Sequence, residues 1–279
     1  MSYKTILVHV DDSQQAPQRI LIAQDIAQRF DAHLTGVALT GISRYIFESS
    51  NLGTGDPNIS LHLGVLRERA ERALHQFQQL TANRASSTTE SLIANDEANG
   101  GLGLRARYCD LIVIGQTNPA EPSPTVMSDF PEFMIVHSGR PILVVPHHCK
   151  VEKIGGRCLI AWNGSREASR AITDAIPLLK LCAQVTIAIV NPKPYQETHG
   201  EEPGADIALF LARHGIKVDI VTRFSKHPGG ETLLSVSAEY QCDLMVMGGY
   251  GHSRFREMLM GGSTRTILEK ATIPVLMSH

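Results

Sequence analysis

The sequence predicts an α/β protein made of two duplicated, doubly wound domains. Three observations lead to this prediction: short β-rich runs alternate with helical patterns, the alternation occurs twice along the chain, and the strand runs are apolar throughout. Strands that are apolar throughout are typical of parallel sheets covered by helices on both faces. We therefore expect each half to contain a five-stranded parallel sheet in the order 3-2-1-4-5, connected by right-handed crossovers.

The elements of the first half follow from local patterns. An apolar run at 5–10 is followed by an apolar stripe at helical spacing, formed by Ile20, Ala23, Ile26, Ala27 and Phe30. The other expected elements are strands at 34–39, 88–93, 111–114 and 142–145, and helices at 61–80, before Tyr108 and before Pro141. Three glycines between 100 and 103 predict that the helix before Tyr108 is short, since each costs about 1 kcal/mol relative to alanine.

The second half repeats the same order of elements. The expected strands are 158–162, 184–190, 217–221, 244–247 and 275–277, and the expected helices are 166–181, 204–214, 230–240 and 263–271.

Direct sequence similarity between the halves supports the duplication. Residues 6–20 resemble 158–172, and CDLIVIG at 109–115 returns as CDLMVMG at 242–248. The offset falls from 152 to 133 residues, so the first half holds about 19 extra residues, which we place in the Gly- and Asn-containing stretch 44–60. A polar, Gly-containing segment at 147–157 separates the two predicted domains, 1–147 and 156–279.

Composition excludes several classes of protein. Twenty-six basic and 28 acidic residues give a formal charge of −2, so no basic surface indicates nucleic-acid or membrane binding. No apolar run approaches the roughly 18–20 residues that a membrane helix needs, and the N-terminus does not read as a signal peptide. The five cysteines include no C-x-x-C pair. We therefore expect a cytoplasmic protein with reduced thiols and no metal site.

The strongest functional signal is a glycine loop after the fourth strand of the second half. Gly248 and Gly251 are followed, nine residues later, by Gly261 and Gly262, and then by the hydroxyl pair Ser263-Thr264 at a predicted helix start. Glycines allow the backbone to approach a ligand closely, and a helix N-terminus with free amides favours an anion. A simple turn and a capped helix would explain Gly262 and Ser263 alone. The full pattern favours phosphate binding.

With this loop, the chain resembles a tandem universal stress protein. Nucleotide-binding members of that family carry G-x2-G-x9-G-(S/T) after the fourth strand, an acidic residue after the first and a valine closing the second. The resemblance implies that Val190 lines the adenine, that Gly248 and Gly251 border the ribose and phosphate, and that the segment from Gly261 to Thr264 holds the phosphates. Gly262 departs from the family pattern, because the hydroxyls follow one and two positions later.

Asn163 is the sharper departure, because the family usually has aspartate there. A carboxylate accepts two hydrogen bonds from ribose hydroxyls, whereas an amide offers one acceptor and one donor. The resemblance therefore implies weaker nucleotide binding through Asn163. The alternative is that Asn163-Gly164 forms only a turn.

The first half keeps the aspartate, Asp11, but lacks the glycine loop. Asn118, Ser128 and Asp129 occupy the positions of Gly251, Gly261 and Gly262, and three prolines lie in the intervening stretch. A carboxylate at the phosphate position repels an anion, so we expect no working nucleotide site in the first half.

The sequence offers no nucleophile–base pair, carboxylate dyad or metal-activated water site, and therefore no catalytic residue is assigned. The leading hypothesis is a stress-response sensor or regulator that binds ATP or a related adenine nucleotide, with Mg²⁺ where phosphates require it. The alternatives are a nucleotide-free interaction scaffold and a weak ATPase. By resemblance to family dimers, we expect strands 142–145 and 275–277 to pair within one chain as a pseudo-dimer. A further homodimer would use other surfaces.

Overall fold

The computed structural model describes residues 2–41, 57–82, 88–192, 202–250 and 262–279. The chain divides into two compact units, Ser2–Arg140 and Pro141–His279. In the described part of the chain, no helix combines the length and apolar character that a membrane crossing requires. The predicted long loop at 44–60 lies mostly outside the described residues.

The N-terminal unit contains four parallel strands in the order β3-β2-β1-β4. Its elements are β1 Thr5–Val10, α1 Ala16–Phe30, β2 His33–Leu39, α2 Pro57–Thr81, β3 Thr89–Ala94, α3 Ala98–Ala106, β4 Leu111–Gly115 and α4 Phe130–His137. Strands β1 and β4 form the buried centre of this sheet, as their continuous apolar sequences predict.

The C-terminal unit contains a sheet in the order β5-β10-β9-β6-β7-β8. Its elements are β5 Ile142–Val145, β6 Arg157–Ala161, α5 Arg166–Leu179, β7 Gln184–Val190, α6 Ala205–Arg213, β8 Asp219–Arg223, α7 Gly229–Glu239, β9 Leu244–Gly248, α8 Ser263–Lys270 and β10 Val275–Ser278. The strands from β10 to β8 are parallel, and β5 runs antiparallel to β10.

The predicted α/β class is confirmed. In the C-terminal unit the order β8-β7-β6-β9-β10 is the predicted 3-2-1-4-5. The predicted pairing of 142–145 with 275–277 is also confirmed, with Val275 opposite Val144 and Met277 opposite Ile142. Two short apolar edges thus cover one another, which removes an aggregation hazard. The compact units divide before β5, whereas the sequence ends the first domain at 147 and starts the second at 156. Those domain bounds stay a prediction.

The helix before Tyr108 is short, as its glycines predict: α3 spans nine residues, Ala98–Ala106. A side chain at Gly101 would come within 3.0 Å of Leu39, so the helix packs closely on the sheet there. The predicted polar linker is partly buried, since Cys149 is 8% and Ile154 2% exposed. Burial raises the pKa of the Cys149 thiol above its usual value. All five cysteines are free.

Candidate ligand-binding site

A cavity of about 190 Å³ lies at the carboxyl ends of β6, β7 and β9 in the C-terminal unit. Ligands in doubly wound folds bind at this edge, where the strand order reverses. Both β7 and β9 pair with β6, so the cavity lies at the reversal point of this sheet. The lining residues are Ala161, Trp162, Asn163, Ala188, Val190, Asn191, Gly229, Leu233, Met247, Gly248 and Ser263.

The order of the strands gives the cavity two chemically different sides. On the β7 side, Ala188 and Val190 with Leu233 of α7 present apolar surface. On the β9 side, Gly248 and Ser263 bring the end of a strand and the start of helix α8 to the cavity. Asn163 follows β6 and therefore lies between the two sides.

Asn163 is held by a turn that fixes the orientation of its amide. Its Oδ1 accepts a hydrogen bond from the Ser165 backbone N–H at 3.1 Å. Ser165 in turn is the N-cap of helix α5, and its hydroxyl accepts a hydrogen bond from the Ala168 N–H at 3.1 Å. Asn163 thus forms a turn and also lies in the cavity wall. Within the described residues, Nδ2 has no hydrogen-bond partner.

Among the described residues, helix α8 has an N-terminus without a side-chain cap. Gly262 is its N-cap residue in extended conformation, with φ −66° and ψ 173°, and provides no side-chain cap. No described heavy atom lies within 4 Å of the place where a Gly262 side chain would begin. The hydroxyl of Thr264 accepts a hydrogen bond from the Tyr250 N–H at 3.4 Å. The first turn of a helix has unsatisfied N–H groups and a positive dipole end, so this edge can receive an anion.

The structure gives Gly248 a second explanation. A side chain there would collide with the backbone at Ala168 and Glu167, in the first turn of helix α5. Glycine at 248 is therefore required by helix packing whether or not a ligand binds. The other predicted loop glycines, Gly251 and Gly261, lie outside the described residues.

Sequence reasoning missed seven lining residues: Ala161, Trp162, Ala188, Asn191, Gly229, Leu233 and Met247. Asn191 has a left-handed backbone with φ 50°, and its side chain exchanges two 2.8 Å hydrogen bonds with the Ser225 backbone. Trp162 and Asn191 directly follow β6 and β7. Their position directly after a strand is the sequence signal that could have placed these two residues in the site.

The corresponding edge of the N-terminal unit is filled by the chain's own arginine. Arg19 of α1 donates to the His9 carbonyl and to Asp11 Oδ1, each at 2.8 Å, and its side chain is only 3% exposed. A side chain at Gly115, which corresponds to Gly248, would collide with the Arg19 guanidinium. Asp11 also accepts hydrogen bonds from the backbone and hydroxyl of Ser13. Its carboxylate is thus already committed to partners within the unit.

Charge in this cluster controls two protonation states. Burial is the largest single influence on Asp11 and opposes its ionisation, but the Arg19 guanidinium, His9 and the hydrogen bonds from Ser13 and Arg19 together outweigh it and hold the pKa of that carboxyl well below its usual range. Burial lowers the pKa of His9 to about 4, with Asp11 opposing this change and Arg19 adding to it. His9 is 1% exposed, and its Nε2 has no hydrogen-bond partner among the described residues. His9 is therefore neutral and buried at neutral pH.

This cluster predicts acid sensitivity. The folded pKa of His9, about 4, lies below its unfolded value of 6.5, so the unfolded chain binds the proton more readily. Stability should be unaffected above pH 6.5 and should fall as the pH decreases toward 4, by about 3 kcal/mol in total. Urea unfolding at pH 7, 6 and 5 measures this loss. His9→Leu should flatten the dependence, whereas the exposed His75→Gln should leave it unchanged. An equal decline in wild type and His9→Leu would refute this origin.

Comparison with known proteins agrees with this doubly wound architecture. The sequence model of the Universal stress protein family matches residues 156–279. Universal stress protein Slr1230 of Synechocystis is 27% identical over 291 residues, which cover 98% of this chain and 99% of that protein.

Solved structures show the same fold over the whole chain. A universal stress protein from Archaeoglobus fulgidus superposes with a TM-score of 0.71 at 16% identity, covering 98% of this chain and 97% of that one. A putative universal stress protein from Pseudomonas aeruginosa gives 0.61 at 16% identity, covering 99% and 93%. Residues 156–279 match the universal stress protein family, and the whole chain is similar to universal stress proteins, as its sequence motifs predict.

Proposed function

We propose that the C-terminal unit binds an adenine nucleotide, and that the protein acts as a nucleotide-dependent sensor or regulator in a stress response. The observation that carries the proposal is the cavity itself, with an apolar wall on β7 and, beyond β9, a helix N-terminus that has no side-chain cap among the described residues. A nucleotide laid along this edge would place its base on Val190 and Leu233. Its sugar would lie beside Asn163, and its phosphates at Ser263 and Thr264.

The chemistry of the lining fits this ligand. A base needs apolar surface and phosphates need amide donors and a positive dipole, and the two lie on opposite sides of Asn163. Of the described residues that line the cavity, none is charged. Mg²⁺ would therefore be carried by the phosphates rather than by a carboxylate of the lining. The described lining also offers no group with the pKa or position of a general base, which favours binding over dedicated hydrolysis.

Direct titration tests the proposal. Trp162 is the chain's only tryptophan and lines the cavity, so its fluorescence should change when a nucleotide binds. We expect calorimetry of the full chain with ATP, ADP, AMP or cyclic AMP to give one site per chain. A bound nucleotide at 100 times its dissociation constant should stabilise the fold by about 2.7 kcal/mol. No heat and no fluorescence change with all four nucleotides at high micromolar concentration would reject nucleotide binding and favour the interaction scaffold.

A further inference from the structure

We propose that Cys158 and Cys182 form an oxidation site in the C-terminal unit, at which a hydroperoxide converts the two thiols into a reversible disulfide. Cys182 is the thiol that reacts with the oxidant, and Cys158 is the thiol that closes the disulfide. The inference does not depend on nucleotide binding, because both residues lie at the amino ends of the strands, whereas the cavity lies at the carboxyl ends.

Three of the five cysteines lie at the same end of the C-terminal sheet. Cys158 is the second residue of β6, and Cys182 and Cys242 precede the first residues of β7 and β9 by two positions each. Both of these strands pair with β6. The Ala183 N–H donates to the Gly155 carbonyl at 3.1 Å, which holds the segment of Cys182 beside the start of β6. The fold therefore gathers three thiols that are far apart in the sequence.

The thiols of Cys158 and Cys182 contact one another. They share a hydrogen bond, and Cys182 Sγ also donates to the Leu178 carbonyl at 3.4 Å in the last turn of α5. Cys242 influences both thiols through charge. A disulfide requires its two sulfur atoms to meet, so the pair already in contact is the pair that forms it most readily.

The exposure of the cysteines assigns the roles of the two thiols. Cys182 is partly exposed, and the other four cysteines are buried. Burial, with a smaller contribution from the hydrogen bond to Cys182, raises the pKa of Cys158 well above its usual value, and burial raises the pKa of Cys242 to about 11. The thiolate is the reactive form of cysteine, so buried thiols with a raised pKa react slowly with an oxidant in solution. The oxidant therefore reacts first with Cys182.

The oxidation consists of two balanced steps. First, the Cys182 sulfur attacks the hydroperoxide: an S–O bond forms, the O–O bond breaks, and the leaving alkoxide or hydroxide takes the thiol proton, which leaves a sulfenic acid. Second, the Cys158 sulfur attacks the Cys182 sulfur: the S–S bond forms, the S–O bond breaks, and the hydroxyl leaves as water with the Cys158 proton. The two thiols lose two electrons and the hydroperoxide gains two.

The N-terminal unit lacks this pair and provides an internal control. Its only cysteine, Cys109, corresponds to Cys242 at the offset of 133 residues, and Ile6 corresponds to Cys158 at the offset of 152. Cys109 is buried, its Sγ donates to the Ala106 carbonyl at 3.2 Å, and burial raises its pKa to about 12. We therefore expect Cys109 to stay reduced under conditions that oxidise Cys182.

Treatment of the full chain with hydrogen peroxide, followed by mass spectrometry, tests the proposal. A small molar excess should lower the number of free thiols from five to three and the mass by about 2 Da, and a dithiol reductant should reverse both changes. Tryptic cleavage separates Cys158, Cys182 and Cys242 into different peptides, so the peptide map identifies the linked pair. We expect the link to join Cys158 to Cys182.

Two variants test the assigned roles. Cys182→Ser should slow the loss of thiols at least about tenfold, because the remaining thiols are buried. Cys158→Val, which is aliphatic like Ile6 at the corresponding position, should still form the sulfenic acid at Cys182, trapped with dimedone, but no disulfide. The matched control Cys109→Ala should oxidise like wild type.

Four outcomes would overturn the inference: five free thiols after treatment, a link between Cys182 and Cys242, a disulfide between two chains, or oxidation of Cys182→Ser at the wild-type rate. If Cys158→Val does not fold, the wild-type peptide map and Cys182→Ser still decide, since Cys182 is partly exposed and tolerates serine.

Discussion

Replacing Gly262 with aspartate is expected to stabilise helix α8 and at the same time to weaken nucleotide binding at least about a hundredfold. Among the described residues, no heavy atom lies within 4 Å of the Cβ position at Gly262, and this residue already has extended N-cap geometry. Aspartate is a favoured N-cap residue and its charge complements the helix dipole, so we expect a gain of about 0.5–1 kcal/mol in stability. The same charge would face the phosphates, and like charges about 4 Å apart near a protein surface repel by roughly 4 kcal/mol.

The matched control is Gly262→Ser, which supplies an N-cap side chain without charge. It should give a similar or smaller gain in stability and retain binding. Thermal unfolding measures the first effect and Trp162 fluorescence titration the second. The N-terminal unit carries aspartate at this position naturally, as Asp129 before helix α4. If Gly262→Asp bound nucleotide as well as Gly262→Ser does, the phosphates would not lie at α8.

Replacing Arg19 with methionine is expected to destabilise the N-terminal unit by about 3–5 kcal/mol. The guanidinium is buried between the His9 carbonyl and the Asp11 carboxylate, and its loss leaves that carboxylate partly buried without its main partner. Breaking a buried ion pair by removing one member has a cost of this size, whereas replacing both members is often nearly neutral. The double variant Asp11→Asn with Arg19→Met should therefore recover much of the loss.

The single tryptophan allows the loss of stability in Arg19→Met to be assigned to one unit. Trp162 reports unfolding of the C-terminal unit, whereas circular dichroism reports helices of both units. In Arg19→Met, the dichroism transition should begin at lower denaturant than the fluorescence transition. Coincident transitions at the wild-type midpoint would show that Arg19 contributes little. A double variant as unstable as the single one would show that Asp11 is not the reason.

Much of the fold could be predicted from the sequence, because parallel strands buried on both faces have continuous apolar runs. Strand β7 begins and ends at its predicted residues, 184 and 190. Strand β8 starts two residues later than predicted, and its burial explains the difference: only Val221 of its five residues is buried, so its apolar signal is weak. The ends of a strand are hard to predict where its residues are exposed, because exposed positions need not be apolar.

The candidate site was only partly predictable. Asn163, Val190, Gly248 and Ser263 line one cavity as their positions after strands predict. Arg19 was missed, although a charged residue one position before Ile20 in an apolar helical stripe was a usable signal. Its partner is eight positions away, and only the folded unit brings the guanidinium between β1 and β4. The requirement for glycine at 248 also depends on tertiary packing, because it comes from the close approach of helix α5 to this residue.

Photolabelling with 8-azido-ATP, followed by peptide mapping, tests the central claim most directly, because it reports where the adenine lies. The reagent attaches to residues beside the base, and the apolar wall of the cavity is formed by Ala188, Val190 and Leu233. We predict that the label appears in peptides containing 184–191 or 229–239, and that excess ATP prevents it. Labelling of peptides within 2–140 that ATP competes away, or no labelling that ATP can compete, would contradict a nucleotide site in the C-terminal unit.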